Sequence, residues 1–192
     1  MIRRRWPVEW FNPPVTAAKR RWSYICCSVT VQSVSVNVES HVVERGNDDY
    51  ADAAWELKEH IRESDGVLRQ RRGFFTDAYR RSRVFLYVDR VREQLVGFAA
   101  VRSDGYVLFL AVAPDYRGDG FGKRLIARVA DEYTNVSCHA RATNQDAIGF
   151  YRHLGFEVRR RVDGYYEDGG DAYYMSLGDG SIRDRLRSLL TG

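Results

Sequence analysis

Residues 108–122 read LFLAVAPDYRGDGFG, an apolar run that passes through Pro114 into Arg117-Gly118-Asp119-Gly120-Phe121-Gly122-Lys123 and then into helical periodicity. That order suits the capture of an anion. Glycines at 118, 120 and 122 let backbone N–H groups approach a phosphate closely, and a helix starting there adds unpaired donors and the positive end of its dipole. Two other phosphate loops do not fit. A Walker loop ends in Gly-Lys-Ser/Thr, whereas here Gly122 is followed by Lys123 and Arg124. A dinucleotide fingerprint calls for an acidic residue ~20 positions further on, at a strand end, and 135–142 contains none.

Nucleophile and metal chemistry find less support. Cys138 and His139 are neighbours on an expected strand, so their side chains point to opposite faces and do not form a Cys–His dyad. The histidines at 41, 60, 139 and 153 lack ligand spacing with cysteine or carboxylate partners, so no metal is expected. Cys26 and Cys27 are adjacent, with Cα atoms ~3.8 Å apart, too close for an ordinary disulfide. A reduced, cytoplasmic setting is the simplest reading.

The elements that must hold the cradle follow from periodicity. A strand is expected near 41–45, helices across 48–61 and 67–79, then strands at 84–89, 95–102 and 106–113, the last delivered by the turn Ser103-Asp104-Gly105. The cradle helix carries Phe121, Leu125, Ile126, Val129 and Tyr133 on one stripe and therefore packs on a sheet. A strand at 136–142 leads to Asn144, which opens a helix with Ala147, Phe150, Tyr151 and Leu154 on one face and Gly155 at its end. Two strands, near 156–162 and 171–177, flank a loop rich in Tyr, Gly and Asp.

The net charge of +4 over 192 residues is unevenly spread. Residues 1–37 hold six Lys/Arg against one Glu, while 38–192 hold 24 basic and 25 acidic residues, a net of −1. No global basic field points to nucleic acid; any such contact falls to the arm. The arm can be a targeting segment, a partner-binding arm or an extension outside the folded domain, and it reads best as an extension over 1–37 with the poor order common at termini. Residues 38–178 form the expected domain, and 179–192 a tail that can make a short amphipathic helix. No stretch of ~18 apolar residues exists, so no membrane partner is expected.

The cradle after Ala111-Val112-Ala113-Pro114, and the second run Asn144-Gln145-Asp146-Ala147-Ile148-Gly149-Phe150-Tyr151-Arg152-His153-Leu154-Gly155-Phe156, together resemble the two cofactor motifs of the GCN5-related N-acetyltransferase (GNAT) superfamily. The element order is also that of the superfamily. The resemblance covers about 38–177 and implies an α/β GNAT fold: a mixed, mostly antiparallel central sheet, splayed at the cofactor site and flanked by helices. It implies acetyl-CoA as co-substrate, with Arg117, Gly118, Asp119, Gly120, Phe121, Gly122 and Lys123 at the pyrophosphate. The backbone of Leu110, Ala111 and Val112 and the side chain of Asn144 would lie along the pantetheine arm. Tyr151 occupies the position that protonates the departing thiolate.

A third run, from Gly164-Tyr165-Tyr166 to Asp171-Ala172-Tyr173-Tyr174-Met175, is similar to the terminal hairpin of protein N-terminal acetyltransferases, including the ribosomal-protein-alanine type. By that resemblance Tyr165 and Tyr166 hydrogen-bond the acceptor peptide. Where the ribosomal-alanine type has Glu as base, this chain has His139, and Tyr106 stands where some eukaryotic N-terminal acetyltransferases carry a partner tyrosine. The expected function is acetyl transfer from acetyl-CoA to the N-terminal α-amine of a protein or peptide, a ribosomal protein among the candidates, by direct attack in a ternary complex. A lysine or small-amine acceptor, and a non-catalytic acyl-CoA sensor, are the alternatives. The run Arg69-Gln70-Arg71-Arg72 replaces a Trp-containing signature and reads either as solubilising charge or as a surface for an acidic acceptor or ribosomal RNA.

Overall fold

The computed structural model describes residues 37–178 and Asp184. The remainder of the expected arm and tail, Cys26 and Cys27 included, lies outside the described residues. Seven strands, β1 (Val38–Val43), β2 (Arg83–Asp89), β3 (Gln94–Val101), β4 (Tyr106–Val112), β5 (Ser137–Arg141), β6 (Phe156–Val162) and β7 (Ala172–Leu177), form one open sheet in the order β1-β2-β3-β4-β5-β7-β6. Four helices accompany it: α1 (Ala51–Asp65), α2 (Arg72–Arg81), α3 (Phe121–Glu132) and α4 (Gln145–His153). This is the expected fold class and element order.

Every neighbouring pair is antiparallel except β4 and β5. That parallel pair joins through only Tyr106↔Ser137 and Val107↔Cys138, after which the strands part and the edge of β4 over 108–112 stays open toward β5. Gly105 holds the pair together at its start. Its φ is +80°, its carbonyl accepts from the Ser137 N–H at 3.3 Å, and an added Cβ would lie 1.8 Å from the Asn135 carbonyl oxygen. Only glycine allows β4 to begin so close to the chain entering β5.

The core is built on both faces. Phe75 of α2 is fully buried and packs on Phe98 and Phe109, with ring centroids 6.1 and 5.0 Å away. Phe121 of α3 packs on Tyr87 at 5.6 Å. Because Leu86 pairs with Phe98 and Tyr87 with Gly97, these contacts lie on opposite faces of the sheet. Truncating a buried aromatic such as Phe75 to Ala costs roughly 3–5 kcal/mol.

The second helix departs from its expected span, starting at Arg72 instead of near 67. Gly66 and Leu68 take left-handed φ of 69° and 56°, which no helix can include. The buried Lys58 ammonium donates to the Gln70 carbonyl and sits 4.4 Å over the Trp55 ring, which pins the intervening loop. α1 likewise starts at Ala51 instead of 48, after Tyr50 at φ 61°.

Candidate active site

The cradle takes the expected form at the end of β4. A 3-10 turn, Pro114–Tyr116, is anchored by Tyr116, whose hydroxyl donates to Asp89 Oδ2 at 2.7 Å. The N–H groups of Val91 and Arg92 donate to the other oxygen of that buried carboxylate at 2.9 and 3.2 Å. These hydrogen bonds, that from Tyr116 foremost, hold Asp89 below its usual pKa. Gly118 and Gly120 have φ of +89° and +83°, and a Cβ at either would meet nothing within 4 Å. The loop therefore leaves open space beside these glycines, and the first turn of α3 that follows has N–H groups without helical partners. Gly122 serves packing instead: a Cβ there would lie 3.2 Å from the Phe150 ring, across which α3 meets α4.

Charge around the cradle is partly committed. The Arg117 guanidinium donates to the Val112 carbonyl at 3.3 Å and to Asp65 Oδ2 at 2.7 Å, tying the loop to the end of α1. Lys123 is half-buried and has no ion-pair partner among the described residues. Asp119 and Gly120 are exposed, and Phe121 is buried. Leu110 and Val112 are half-buried and Ala111 buried along the open edge of β4. Asn144 caps α4, its Oδ1 accepting from the Ala147 N–H at 3.0 Å, which leaves its amide NH₂ for another partner.

At the other end of β4 lies a polar cluster. The Tyr106 hydroxyl is 2.8 Å from Nδ1 of His139 and 3.1 Å from the Tyr165 hydroxyl, and the His139 ring stacks on Tyr165 with centroids 4.1 Å apart and planes 9° from parallel. Burial, and next the hydrogen bond with Tyr165, push the Tyr106 pKa up, so its phenol stays protonated. Burial, with the nearby positive Arg160, holds His139 below its usual 6.5, so its ring is neutral at pH 7. With both neutral, Tyr106 and His139 Nδ1 share one hydrogen bond whose direction follows the imidazole tautomer, and either hydroxyl of the Tyr106–Tyr165 pair can be the donor.

β7 and β6 extend this cluster. His139 pairs with Tyr174, and Tyr174 pairs with Arg160 across the next strand, so the three share one face. The His139 and Tyr174 centroids are 5.1 Å apart, and the Arg160 guanidinium lies 5.2 Å from the Tyr174 ring. A cleft of about 650 Å³ opens here, lined by Arg102, Tyr106, His139, Arg160, Tyr165 and Tyr174 among others. Tyr174, Arg160 and Arg102, which lies 4.7 Å from the Tyr106 ring, were not singled out by sequence reasoning. The strand pairing of β5, β7 and β6 is the signal that would have found the first two.

Tyr166 meets Tyr165 edge to face, with ring centroids 5.0 Å apart. The Arg141 guanidinium lies 4.0 Å from its ring, and burial pushes its pKa up to about 12. Asp168 in the same loop accepts from Arg141 at 3.1 Å and from Arg69 at 3.3 Å, while Arg72 pairs with Asp52 at 2.9 Å. Two arginines of the basic run are thus neutralised.

Tyr151 is 8% exposed, wedged between Phe150 and Phe156, with its hydroxyl against the Cys138 thiol. Burial and that contact raise its pKa, leaving a protonated phenol at neutral pH. Cys138 is 1% exposed on the face of β5 opposite His139, and burial lifts its thiol to about 12. It is no thiolate nucleophile. No cluster of His, Cys, Asp and Glu able to hold a metal ion occurs among the described residues.

A strand edge thus lies open beside a glycine cradle, with a Tyr–His pair where two parallel strands part. Residues 80–158 match the Acetyltransferase (GNAT) domain, and the chain resembles the N-terminal acetyltransferases of the GNAT superfamily. It is 33% identical over 98 residues to an uncharacterized N-acetyltransferase of Methanocaldococcus jannaschii, covering 46% of this chain and 63% of that protein. Over 82 residues it is 33% identical to N-alpha-acetyltransferase 30 of Saccharomyces cerevisiae, covering 40% of this chain and 47% of that one. The chain thus spans less than two thirds of the length of these relatives. The ribosomal-protein-S18-alanine N-acetyltransferase from Escherichia coli shares the fold, with a TM-score of 0.56, 24% identity, and 72% of this chain and 93% of that one covered.

Proposed function

We propose that this chain transfers acetyl from acetyl-CoA to the N-terminal α-amine of a protein or peptide, by direct attack of the amine on the thioester. One observation carries the reading: the Tyr106–His139 hydrogen bond stands where β4 and β5 begin to part. The residues present suit acetyl-CoA. Gly118 and Gly120 offer bare backbone to a pyrophosphate, the open edge of β4 offers strand-like pairing to an amide-bearing arm, and the free NH₂ of Asn144 can donate to it. From Val112 at the cradle to Tyr106 is six residue steps, about 20 Å of strand. That is room for an extended arm between a phosphate and a reacting end.

In this reading Tyr106 takes the proton of the attacking ammonium as its own proton passes to His139 Nδ1, leaving an imidazolium. The amine nitrogen bonds to the acetyl carbon, and the carbon–sulfur bond breaks as Tyr151 protonates the leaving sulfur. The second proton shed by nitrogen as the amide forms returns the Tyr151 phenolate to phenol by way of solvent. An α-amino group has pKa ~7.7–8.0 against ~10.4 for lysine, so freeing lysine costs ~3 kcal/mol more. A mild base with a depressed pKa matches the former. Tyr165 and Tyr166 border the acceptor, and a ribosomal-protein N terminus, as in the Escherichia coli neighbour's name, belongs to the acceptor class. A cytoplasmic setting accords with it, and no described helix is long and apolar enough to cross a membrane.

Release of free CoA thiol, followed when one peptide is supplied with a free and then with a blocked N terminus, tests the proposal. Release with the free form alone supports it; equal release with both, or none with either, overturns it.

A further inference from the structure

The cleft beside His139 is bordered by three arginines, and their partners differ. Arg102 is bound by the Asp104 carboxylate, with its Nε 3.0 Å from Oδ1. Arg159 pairs with Glu157 at 2.8 Å and donates to the Ser176 hydroxyl at 2.7 Å. Arg160 has no carboxylate within ion-pair range among the described residues; its guanidinium lies over the face of Tyr174 and its charge acts on His139. Yet it lies in the row that carries the proposed base, two strand spacings from His139, roughly 10 Å along the sheet.

A guanidinium on the wall of a cleft, stacked on an aromatic ring and lacking a counter-charge, is prepared for a carboxylate. A peptide whose α-amine reaches His139 advances about 3.3 Å per residue if extended. Its second and third side chains therefore fall within reach of Arg160. Of the basic run leading into α2, Arg69 and Arg72 are already paired with Asp168 and Asp52.

We infer that Arg160 is a specificity-determining residue and that the acceptors are N termini with Asp or Glu at the second or third position. This rests on the α-amine reading above and narrows it. The acidic side chain supplies the charge partner that Arg160 lacks, and a basic side chain there is repelled.

Peptides identical except for Asp, Asn or Lys at positions two and three, compared by kcat/KM with the full chain, test the inference. Expected is a preference for Asp over Asn of roughly fivefold, larger still over Lys, that shrinks as salt rises. Arg160→Gln brings the Asp-to-Asn ratio close to one, Arg160→Lys keeps most of it, and Arg160→Glu turns the order toward Lys. Should Arg160→Gln fail to fold, the wild-type ratio and its salt dependence decide. Efficient acetylation of all three peptides at equal rates overturns the acidic preference and leaves the α-amine reading standing. Absence of acetylation on every free N terminus overturns both.

Discussion

The hydroxyl of Tyr106 lies 2.8 Å from Nδ1 of His139, although 33 residues and the whole of α3 separate them in sequence. The contact exists because β4 and β5 pair at just two positions, and Gly105 lets the turn before β4 press against the Asn135 carbonyl. A phosphate-sized cradle, an open strand edge and a proton acceptor are thereby strung along one strand. The proposed chemistry is a consequence of where that strand parts from its neighbour.

If this pair removes the proton of the acceptor amine, His139→Ala lowers kcat by about 10²–10⁴-fold with little change in acetyl-CoA affinity. The base works only when neutral, and its folded pKa is held below 6.5 by burial and by Arg160. The acid limb of kcat at saturating peptide therefore falls below pH 6.5, not above it. A limb at or above 6.5, or a His139→Ala profile matching the wild type, contradicts the assignment.

Gly105→Ala is expected to damage stability and site together. A methyl group 1.8 Å from a carbonyl oxygen cannot be accommodated without moving β4 from β5, and a φ of +80° adds about 1–2 kcal/mol of strain. Thermal melting should show a loss of at least that size. The soluble fraction of the variant should acetylate peptides more slowly at saturating acetyl-CoA, because Tyr106 no longer meets His139.

At the cradle, Gly120→Val has open space before it but the wrong φ. The expected result is a rise in the KM for acetyl-CoA of tenfold or more, about 1.4 kcal/mol or greater, with the KM for peptide nearly unchanged. Equal rises in both would place the loop's role elsewhere.

Tyr151→Phe keeps the buried ring and its contacts with Phe150 and Phe156 while removing the hydroxyl beside Cys138. Loss of the proposed acid lowers kcat by about 10²-fold or more. Its effect should vanish with an activated thioester whose leaving thiolate needs no proton. A variant that turns over at the wild-type rate removes Tyr151 from the mechanism.

Much of the fold was legible because its signals are local. The cradle is one continuous run, Asn144 caps the helix it was expected to open, and strict alternation put Cys138 and His139 on opposite faces. What was illegible depended on distant partners. Arg159, Arg160 and Arg161 are identical in type, so periodicity cannot say which one stands in the row of Tyr174 and His139; a register shift between Val158 and Arg160 decides it. The commitment of Arg117 to Asp65 and the pinning of Gln70 by Lys58 are likewise tertiary, and they moved the start of α2 and drew charge away from the cradle.

The most direct test is a peptide bearing both a free α-amine and an internal lysine, incubated with acetyl-CoA and the full chain near pH 7 and sequenced by tandem mass spectrometry at low conversion. The account predicts acetyl on the α-amine, at least about 10²-fold over the lysine, in line with the cost of freeing each amine. Acetyl placed on the lysine side chain, or no transfer while acetyl-CoA binds, would contradict it.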